Sequence, residues 1–293
     1  LNVLACTPPL LGPTLAPVRQ AATHSKRLQS GFTLIEMIIV IVITGIVAAA
    51  VAVFMLAPTQ SYFDSTRRAE MTDRVDNTLR RVGRDLRLAL PNSVRVSTSG
   101  ANTAVEFLIT RAGGRYRAAQ TNTGAGDILD FSSGADNSFD VLGPGVEVGA
   151  GDQIVIYNLG IPGADAYVGD TRRAYPGAGG MLSNIPYTST GTPFPFTSPE
   201  DRFHVIAGSP VSYNCDLATG RLTRHSGYAI AAAQSVPPAG AGDLIAENVT
   251  ACTFVYDPLA VAQRAGLIIM TLSITQAGES VNIYHTIHVN NVP

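Results

Sequence analysis

The longest uninterrupted apolar stretch of the chain runs from Phe32 to Ala57 and holds one ionisable residue, Glu36. As an α-helix, its 26 residues would rise about 39 Å, which exceeds the roughly 30 Å of a bilayer's hydrocarbon core. The pattern therefore predicts a membrane-spanning helix with some tilt. Lys26 and Arg27 precede it. By the positive-inside tendency that end stays in the cytoplasm, and everything after Ala57 lies outside.

A second helical pattern begins just after Pro58. Apolar residues recur there at spacings of three and four, the helical period, at Met71, Val75, Leu79, Val82 and Leu86. Acids precede bases by four residues, which favours a helix, at Asp64–Arg68, Glu70–Arg74 and Asp76–Arg80. We predict one long helix over roughly 32–90, with a bend allowed near Pro58 and an end before Pro91. The stripe covers barely two heptads, so packing on the chain's own domain is favoured over a coiled coil.

Residues 91–293 carry strand signals separated by Gly, Asp, Asn and Pro. The predicted strands are 103–110, 127–131, 153–158, 203–207, 210–215, 221–225, 250–256, 267–275 and 281–289. No alternation of strands with helices appears, so the expected fold class is α+β, with one long N-terminal helix packed on an antiparallel β-rich domain. Residues 160–202 interrupt the pattern with Gly and Pro and are predicted to form a long loop.

The apolar stretch opens with Gly31-Phe32-Thr33-Leu34-Ile35-Glu36. A carboxylate near the start of a spanning helix costs up to about 2.5–3.5 kcal/mol at the helix centre and less near an end, so it needs a partner. This motif and the apolar run after it resemble the signal of type IV prepilins and type II secretion pseudopilins. A cleaved secretory signal has a shorter apolar core with a site at its end, and an ordinary anchor leaves Glu36 unexplained.

The resemblance implies a set of expectations. A prepilin peptidase would remove residues 1–31, cut between Gly31 and Phe32, and N-methylate Phe32. Glu36 would then pair with the terminal amine of an adjacent subunit during filament assembly. The processed protein would pass once through the bacterial inner membrane with its C-terminal domain in the periplasm, contact the assembly platform and other pilins, and enter a pilus or pseudopilus. Removing 31 of 293 residues leaves 262, large for an abundant subunit, so a minor pilin or pseudopilin is expected.

A narrower resemblance is to the MSHA pilus biogenesis family, which itself resembles J-type minor pseudopilins. It is carried by the runs Thr66–Asp73 and Leu86–Arg95, by Gly278–Val281, by the terminal Val289–Pro293, and by the placement of Cys215 and Cys252. These motifs are weaker than the N-terminal signal, although together they span most of the chain.

Cysteine usage depends on the expected processing. Cys6 lies in the leader and would be removed with it, which leaves Cys215 and Cys252 on the far side of the membrane. An even pair in an oxidising compartment predicts a disulfide, and closing a loop of about 38 residues would contribute about 4 kcal/mol in the chain-entropy model. Two buried free thiols are the alternative.

Charge argues against a nucleic-acid partner. After Gly31 there are 17 arginines against 22 acidic residues, and the part from Pro91 onward has ten arginines against sixteen acids. A surface that grips DNA is usually basic. The local trio Arg111, Arg115 and Arg117 is predicted to be a solvated strand edge or hairpin.

No motif of catalysis, metal binding or cofactor binding stands out, so we expect no enzyme activity and no cofactor. His285 and His288 are three apart on a predicted strand and therefore face opposite ways; His285 is expected to be a hydrogen-bonded core residue. The acids at 127, 130, 136 and 140 do not match an EF-hand and are expected to be solvated loop residues. The alternatives are a tip adhesin or other ligand-binding pilin that uses loop 160–202 and, less favoured, a membrane-tethered periplasmic enzyme.

Overall fold

The structure, a computed structural model, describes residues 31–261 and 265–293. The predicted leader, including Cys6 and the basic Lys26 and Arg27, lies outside these residues except for Gly31. One helix, α1, covers Leu34–Arg87 and continues through position 58. The prediction of a single long helix is confirmed within three residues at each end. The chain forms two compact units, which divide between Thr59 and Gln60.

The second unit is rich in β-strands. After α1 the strands are β1 (Arg95–Ser99), β2 (Asn102–Tyr116), β3 (Ser138–Leu142), β4 (Val146–Gly149), β5 (Gln153–Val155), β6 (Arg172–Ala174), β7 (Gly179–Leu182), β8 (Asn184–Pro186), β9 (Arg202–Asp216), β10 (Arg221–His225), β11 (Asp243–Glu247), β12 (Val249–Val261), β13 (Ala265–Gln276) and β14 (Glu279–Asn290).

The strands form three sheets in the described chain, and all their pairings are antiparallel. The largest has the order β11-β10-β9-β2-β3-β8, with β1 added beside β2, β5 added beside β9, and β6 added beside β5. The second sheet is β12-β13-β14, and the third is the pair β4-β7. The predicted α+β fold class is therefore confirmed.

The C-terminal part of α1 packs through the predicted stripe. Its five apolar residues, from Met71 to Leu86, are each no more than 3 % exposed. They share one core with inward-facing residues of both larger sheets, such as Phe107 in β2, Tyr213 in β9 and Ile268 in β13. Burying such a side chain contributes about 1.5–3 kcal/mol. The stripe therefore packs on the chain's own domain, as predicted, and helps to hold two sheets together.

A second core lies away from the helix and is built mainly from aromatic rings. Phe139 contacts Tyr116, Tyr187 and Phe203 at ring-centroid distances of 6.3, 6.2 and 5.1 Å. Tyr187 and Phe194 belong to the segment 160–202, which was predicted to be a loop. That segment contains β6, β7 and β8, and its aromatic residues are buried except for Phe196. The segment therefore folds onto its own domain.

Several strand predictions were wrong in detail. Residues 127–131 form no strand, because Asp130 is drawn into a turn in which it accepts from the backbone and hydroxyl of Ser132. The two strands predicted at 203–207 and 210–215 are one strand, β9, which continues through Gly208-Ser209-Pro210 with an irregular register opposite β2. Seven short strands were not predicted, namely β1, β3, β4, β6, β7, β8 and β11.

Polar contacts fix the end of α1 to the large sheet. Asp85 Oδ2 accepts from the Tyr213 hydroxyl at 2.8 Å and from Arg224 Nε at 2.9 Å. Burial and the nearby carboxylate raise the pKa of Tyr213, which therefore stays a donor. These contacts join the last turns of α1 to β9 and β10, beside the apolar stripe.

A buried carboxylate organises the other face of β2. Glu106 is 1 % exposed and accepts from Arg95 Nε at 2.8 Å and from the Tyr228 hydroxyl at 2.8 Å. Arg95 also donates to the carbonyls of Ala231 and Ala232 and stacks on the ring of Tyr167, 3.6 Å from its centroid. Because a buried charge needs full pairing, this network ties two connecting segments to the sheet.

The helix packing generates a first prediction. Leu86→Ala should lower the free energy of unfolding by about 2–5 kcal/mol, because it opens a cavity at a fully buried position. Leu88→Ala is the matched control: Leu88 is 53 % exposed, and its truncation should change stability by less than about 0.5 kcal/mol. Denaturant unfolding of the full chain in detergent, followed by tyrosine fluorescence, measures both. Equal effects of the two variants would contradict the packing described.

His204 in β9 generates a second prediction. Burial, with the nearby Arg202 guanidinium, lowers the pKa of His204 from 6.5 to about 4. Its Nε2 is cut off from solvent and has no hydrogen-bond partner among the described residues. Because the folded chain then binds fewer protons than the unfolded chain, the stability from this group is complete above pH 6.5 and is lost as the pH falls toward 4.

His204→Gln should remove this pH dependence. Between pH 7 and pH 4 the unaltered protein should lose up to about 3 kcal/mol more unfolding free energy than the variant. His288→Gln, at an exposed position of β14, should keep the unaltered profile. Unfolding free energies measured at several pH values test this, and parallel profiles for the protein and His204→Gln would refute it.

Candidate processing and assembly site

The first turn of α1 is closed by Thr33 and Glu36. The Thr33 carbonyl accepts from the amide of Met37 at 3.2 Å, and its hydroxyl accepts from the amide of Glu36 at 3.3 Å. In return, the amide of Thr33 donates to Glu36 Oε2 at 3.5 Å. This reciprocal pattern is a capping box, which satisfies amides that the start of a helix leaves without partners. Both side-chain bonds are long and correspondingly weak.

Glu36 is thereby held beside the predicted cleavage site. Its carboxylate faces the amide of Thr33, one residue after Phe32. A cut between Gly31 and Phe32 would create an α-amino group next to this position. Phe32 itself is 77 % exposed, and open space surrounds the α-carbon of Gly31. The peptide bond in question therefore lies on an accessible segment just before the helix.

The helix that follows exposes apolar side chains on every face. Residues from Leu34 to Met55 include Ile35, 67 % exposed, and Phe54, 80 % exposed. The mean hydropathy of an 18-residue window reaches 3.0, and α1 is the one helix in the described chain that is long and apolar enough to cross a membrane. A continuous apolar surface of this size needs cover from lipid or from other apolar helices.

The two cysteines predicted to pair lie in one core on different sheets. Cys215 is in β9 of the large sheet and Cys252 is in β12 of the three-stranded sheet, and both are buried. Both are free thiols in this structure, within hydrogen-bonding reach of one another. This hydrogen bond and burial raise the pKa of the Cys252 thiol well above its usual value. The sequence separation did not reveal that the pair would connect two sheets.

The arginine trio does not form one site. Arg111 pairs with Asp152 at 2.9 Å, Arg115 with Glu200 at 3.3 Å, and Arg117 with Asp140 at 3.2 Å. Arg111 and Arg117 therefore each have a separate carboxylate, whereas Arg115 shares Glu200 with Arg202.

The four acids at 127–140 are more than solvated loop residues. Asp140 accepts from Asn184 at 3.1 Å and from the amide of Asp127 at 3.0 Å, and these bonds, with Arg117, lower its pKa. Asp136 accepts from the Tyr187 hydroxyl at 2.9 Å. The described residues contain no cluster of His, Cys, Asp and Glu that would hold a metal ion.

The two histidines of β14 face opposite ways, as predicted. His288 is exposed, and His285 is half-buried at the edge of the helix packing. The expectation that His285 is a hydrogen-bonded core residue was wrong, because within the described chain it makes no hydrogen bond and it lines a surface groove. The capping role of Thr33 was missed, although Thr-x-x-Glu before an apolar run is a readable signature of a helix start.

Comparison with known proteins bears on the N-terminal segment. Residues 26–52 match the model of the prokaryotic N-terminal methylation motif. Searches of curated proteins and of solved structures gave no match. The motif supports a type IV pilin-like protein, of the pilin and pseudopilin class, that is processed by a prepilin peptidase and assembles with other pilins. The comparisons lend no support to the narrower resemblance to MSHA biogenesis proteins.

Proposed function

We propose that this protein is a minor pilin or pseudopilin, a structural subunit without catalytic activity of its own. In this proposal the prepilin peptidase cuts between Gly31 and Phe32 and methylates the new amine of Phe32. The helix then leaves the inner membrane for the core of a filament, and the β-rich domain stays on the periplasmic side and later on the filament surface.

The methylation motif over residues 26–52 carries the proposal. The geometry of the segment is compatible with it, because the cut would fall on exposed chain and place a positive charge beside Glu36. A charged amine satisfies a carboxylate in an apolar setting far better than one long bond to an amide. If Glu36 pairs with the Phe32 amine of an adjacent subunit, its charge is neutralised when the subunits assemble.

The minor role and the type of filament are finer parts of the proposal. A processed length of 262 residues and a domain with several separate cores fit a subunit used in few copies. The sequence runs quoted above favour an MSHA-type pilus and a protein like MshO, with a type II secretion pseudopilus as the alternative. An adhesin that binds through the aromatic residues of 160–202 has less support, because Tyr167, Tyr175, Tyr187 and Phe194 are buried.

We further propose that Cys215 and Cys252 form a disulfide in the oxidising compartment. Their positions in the same core, on two sheets that the helix also joins, support this pairing. The bond would connect β9 to β12 directly and so add a covalent link between the sheets.

Processing is tested by intact mass and N-terminal sequencing after co-expression with a prepilin peptidase. The expected product begins at N-methylated Phe32. Gly31→Val should abolish the cut without disturbing the fold, because the space around this α-carbon is open. Gly45→Val, inside the helix at an equally open position, is the matched control and should be processed normally. A cut beyond Ala57, or none at all, would sink the proposal.

Glu36→Gln separates assembly from processing. The variant should still be cut at Phe32, because the side chain keeps its size, but its incorporation into filaments should fall at least about tenfold through loss of the charge pair. Glu70→Gln, at an exposed position of the C-terminal half of α1, should assemble as the unaltered protein does. Immunoblots of sheared filaments against whole cells give the ratio. Normal incorporation of Glu36→Gln would refute the role of Glu36.

The disulfide is tested by mass and stability together. The unreduced processed chain should be lighter than the reduced chain by two hydrogen atoms, and reduction should lower its unfolding free energy by about 4 kcal/mol in the chain-entropy model. The double variant Cys215→Ala with Cys252→Ala should show no response to reductant. Alkylation of both cysteines in the unfolded, unreduced protein would show instead that they are free thiols.

A further inference from the structure

A basic groove runs beside the C-terminal half of α1. It is lined by Asn77, Arg80, Gly83, Arg84 and Arg87 of the helix and by His285 of β14, and its volume is about 460 Å³. Its lining among the described residues includes no carboxylate, although Asp76 pairs with Arg80 at its side. Gly83 allows the close approach that forms its floor, since a Cβ there would lie 3.0 Å from Ile287 Cδ1.

The arginines of this groove make few ion pairs or hydrogen bonds within the described part of the chain. Arg80 pairs with Asp76 at 2.6 Å, but its side chain is still 69 % exposed. Arg84 and Arg87 are exposed, and in the described part of the chain they make no ion pair or hydrogen bond. Elsewhere in the second unit, guanidinium groups such as those of Arg95, Arg111 and Arg224 have carboxylate partners. The basic groove therefore has charge available for a partner.

The strand beside the groove also has a free side. β14 is 12 residues long and pairs with β13 alone among the described strands. An edge strand exposes a row of unpaired amides and carbonyls to which another extended chain can add. On its outward face Tyr284 is 61 % exposed. Because His285 of this strand lines the groove, the edge strand and the positive side chains belong to one part of the surface.

We propose that the basic groove docks an extended, acid-bearing segment of a neighbouring filament subunit, which adds along β14 and places carboxylates against Arg84 and Arg87. The inference rests on the proposed function as a filament subunit, and it names the surface and the chemistry of the contact. Charge complementarity selects an anionic occupant, and the free strand edge selects a polypeptide in extended form.

Two other occupants fit less well. The chain's own residues 1–30 contain Arg19, Lys26 and Arg27 and no acidic residue, so they do not complement the groove. Nucleic acid would engage the arginines but would leave the edge of β14 unpaired. It would also meet the acidic field of a domain with sixteen acids and ten arginines after Pro91.

The experiment uses the full chain in detergent micelles and three fluorescent probes. The first is a strand-forming peptide of alternating Thr and Glu, the second is the same peptide with Gln in place of Glu, and the third is a single-stranded DNA oligonucleotide of equal charge. Anisotropy titrations compare the unaltered protein with Arg84→Glu/Arg87→Glu. The matched control is Arg74→Glu/Arg81→Glu, because these arginines lie exposed on the opposite flank of the same helix and also lack ion pairs among the described residues.

The Glu peptide should bind the unaltered protein at least about tenfold more tightly than the Gln peptide. That preference should be lost in Arg84→Glu/Arg87→Glu and kept within about twofold in Arg74→Glu/Arg81→Glu. Equal binding of the two peptides, an equal loss in both double variants, or tighter binding of the oligonucleotide would each overturn the proposal. Circular dichroism confirms that each variant is folded. Mass analysis of Phe32 processing tests the pilin role independently, so a failure of peptide binding in the groove can be distinguished from a failure of the pilin proposal.

Discussion

The structure depends on how the apolar side chains of one 54-residue helix are shielded from water. Up to Met55 these side chains surround the helix and are exposed in the described part of the chain, whereas from Met71 to Leu86 they form one stripe that the domain buries. The hydrophobic free energy gained is proportional to the apolar area removed from water. The N-terminal half of α1 can therefore gain this stabilisation only from lipid or from other helices. The C-terminal half has gained it already, and its exposed flanks carry charge instead.

The buried stripe explains why two sheets with few strand-to-strand contacts form one unit. Core residues of β2 and β9 and of β13 and β14 pack against the same helix, so both sheets bury residues on this one helix face. The polar contacts of Asp85 join the helix to β9 and β10, and Cys215 and Cys252 lie in the same core on β9 and β12. A change at Leu86 therefore disturbs both sheets, while a change in the aromatic core around Phe139 is remote from the helix.

Local pattern predicted the helix, its buried stripe and the last two strands, because each depends on residues that are close in sequence. It failed where distant residues decide the outcome. The strand β9 continues through Gly208-Ser209-Pro210 because β2 pairs with it on both sides of this irregularity, at Ile206 and at Pro210, although these residues usually mark a turn. Segment 160–202 was assigned to a loop since Gly and Pro interrupt its pattern, and the partners of its aromatic residues in the second core come from β2, β3 and β9. The contact between Thr33 and Glu36 was readable from spacing alone.

The capping box gives Glu36 a consistent part before and after the proposed cut. While residue 31 is still attached, the one hydrogen bond of the carboxylate among the described residues is from the amide of Thr33, at 3.5 Å, and the hydroxyl of Thr33 completes the first turn. A new amine at Phe32 brings a full positive charge to the same end of the helix, where the aligned peptide dipoles disfavour it. A carboxylate at Glu36 offsets that cost, and a neutral glutamine would not. The charge of Glu36 therefore matters more than its hydrogen-bonding shape, which is why the isosteric substitution is the informative one.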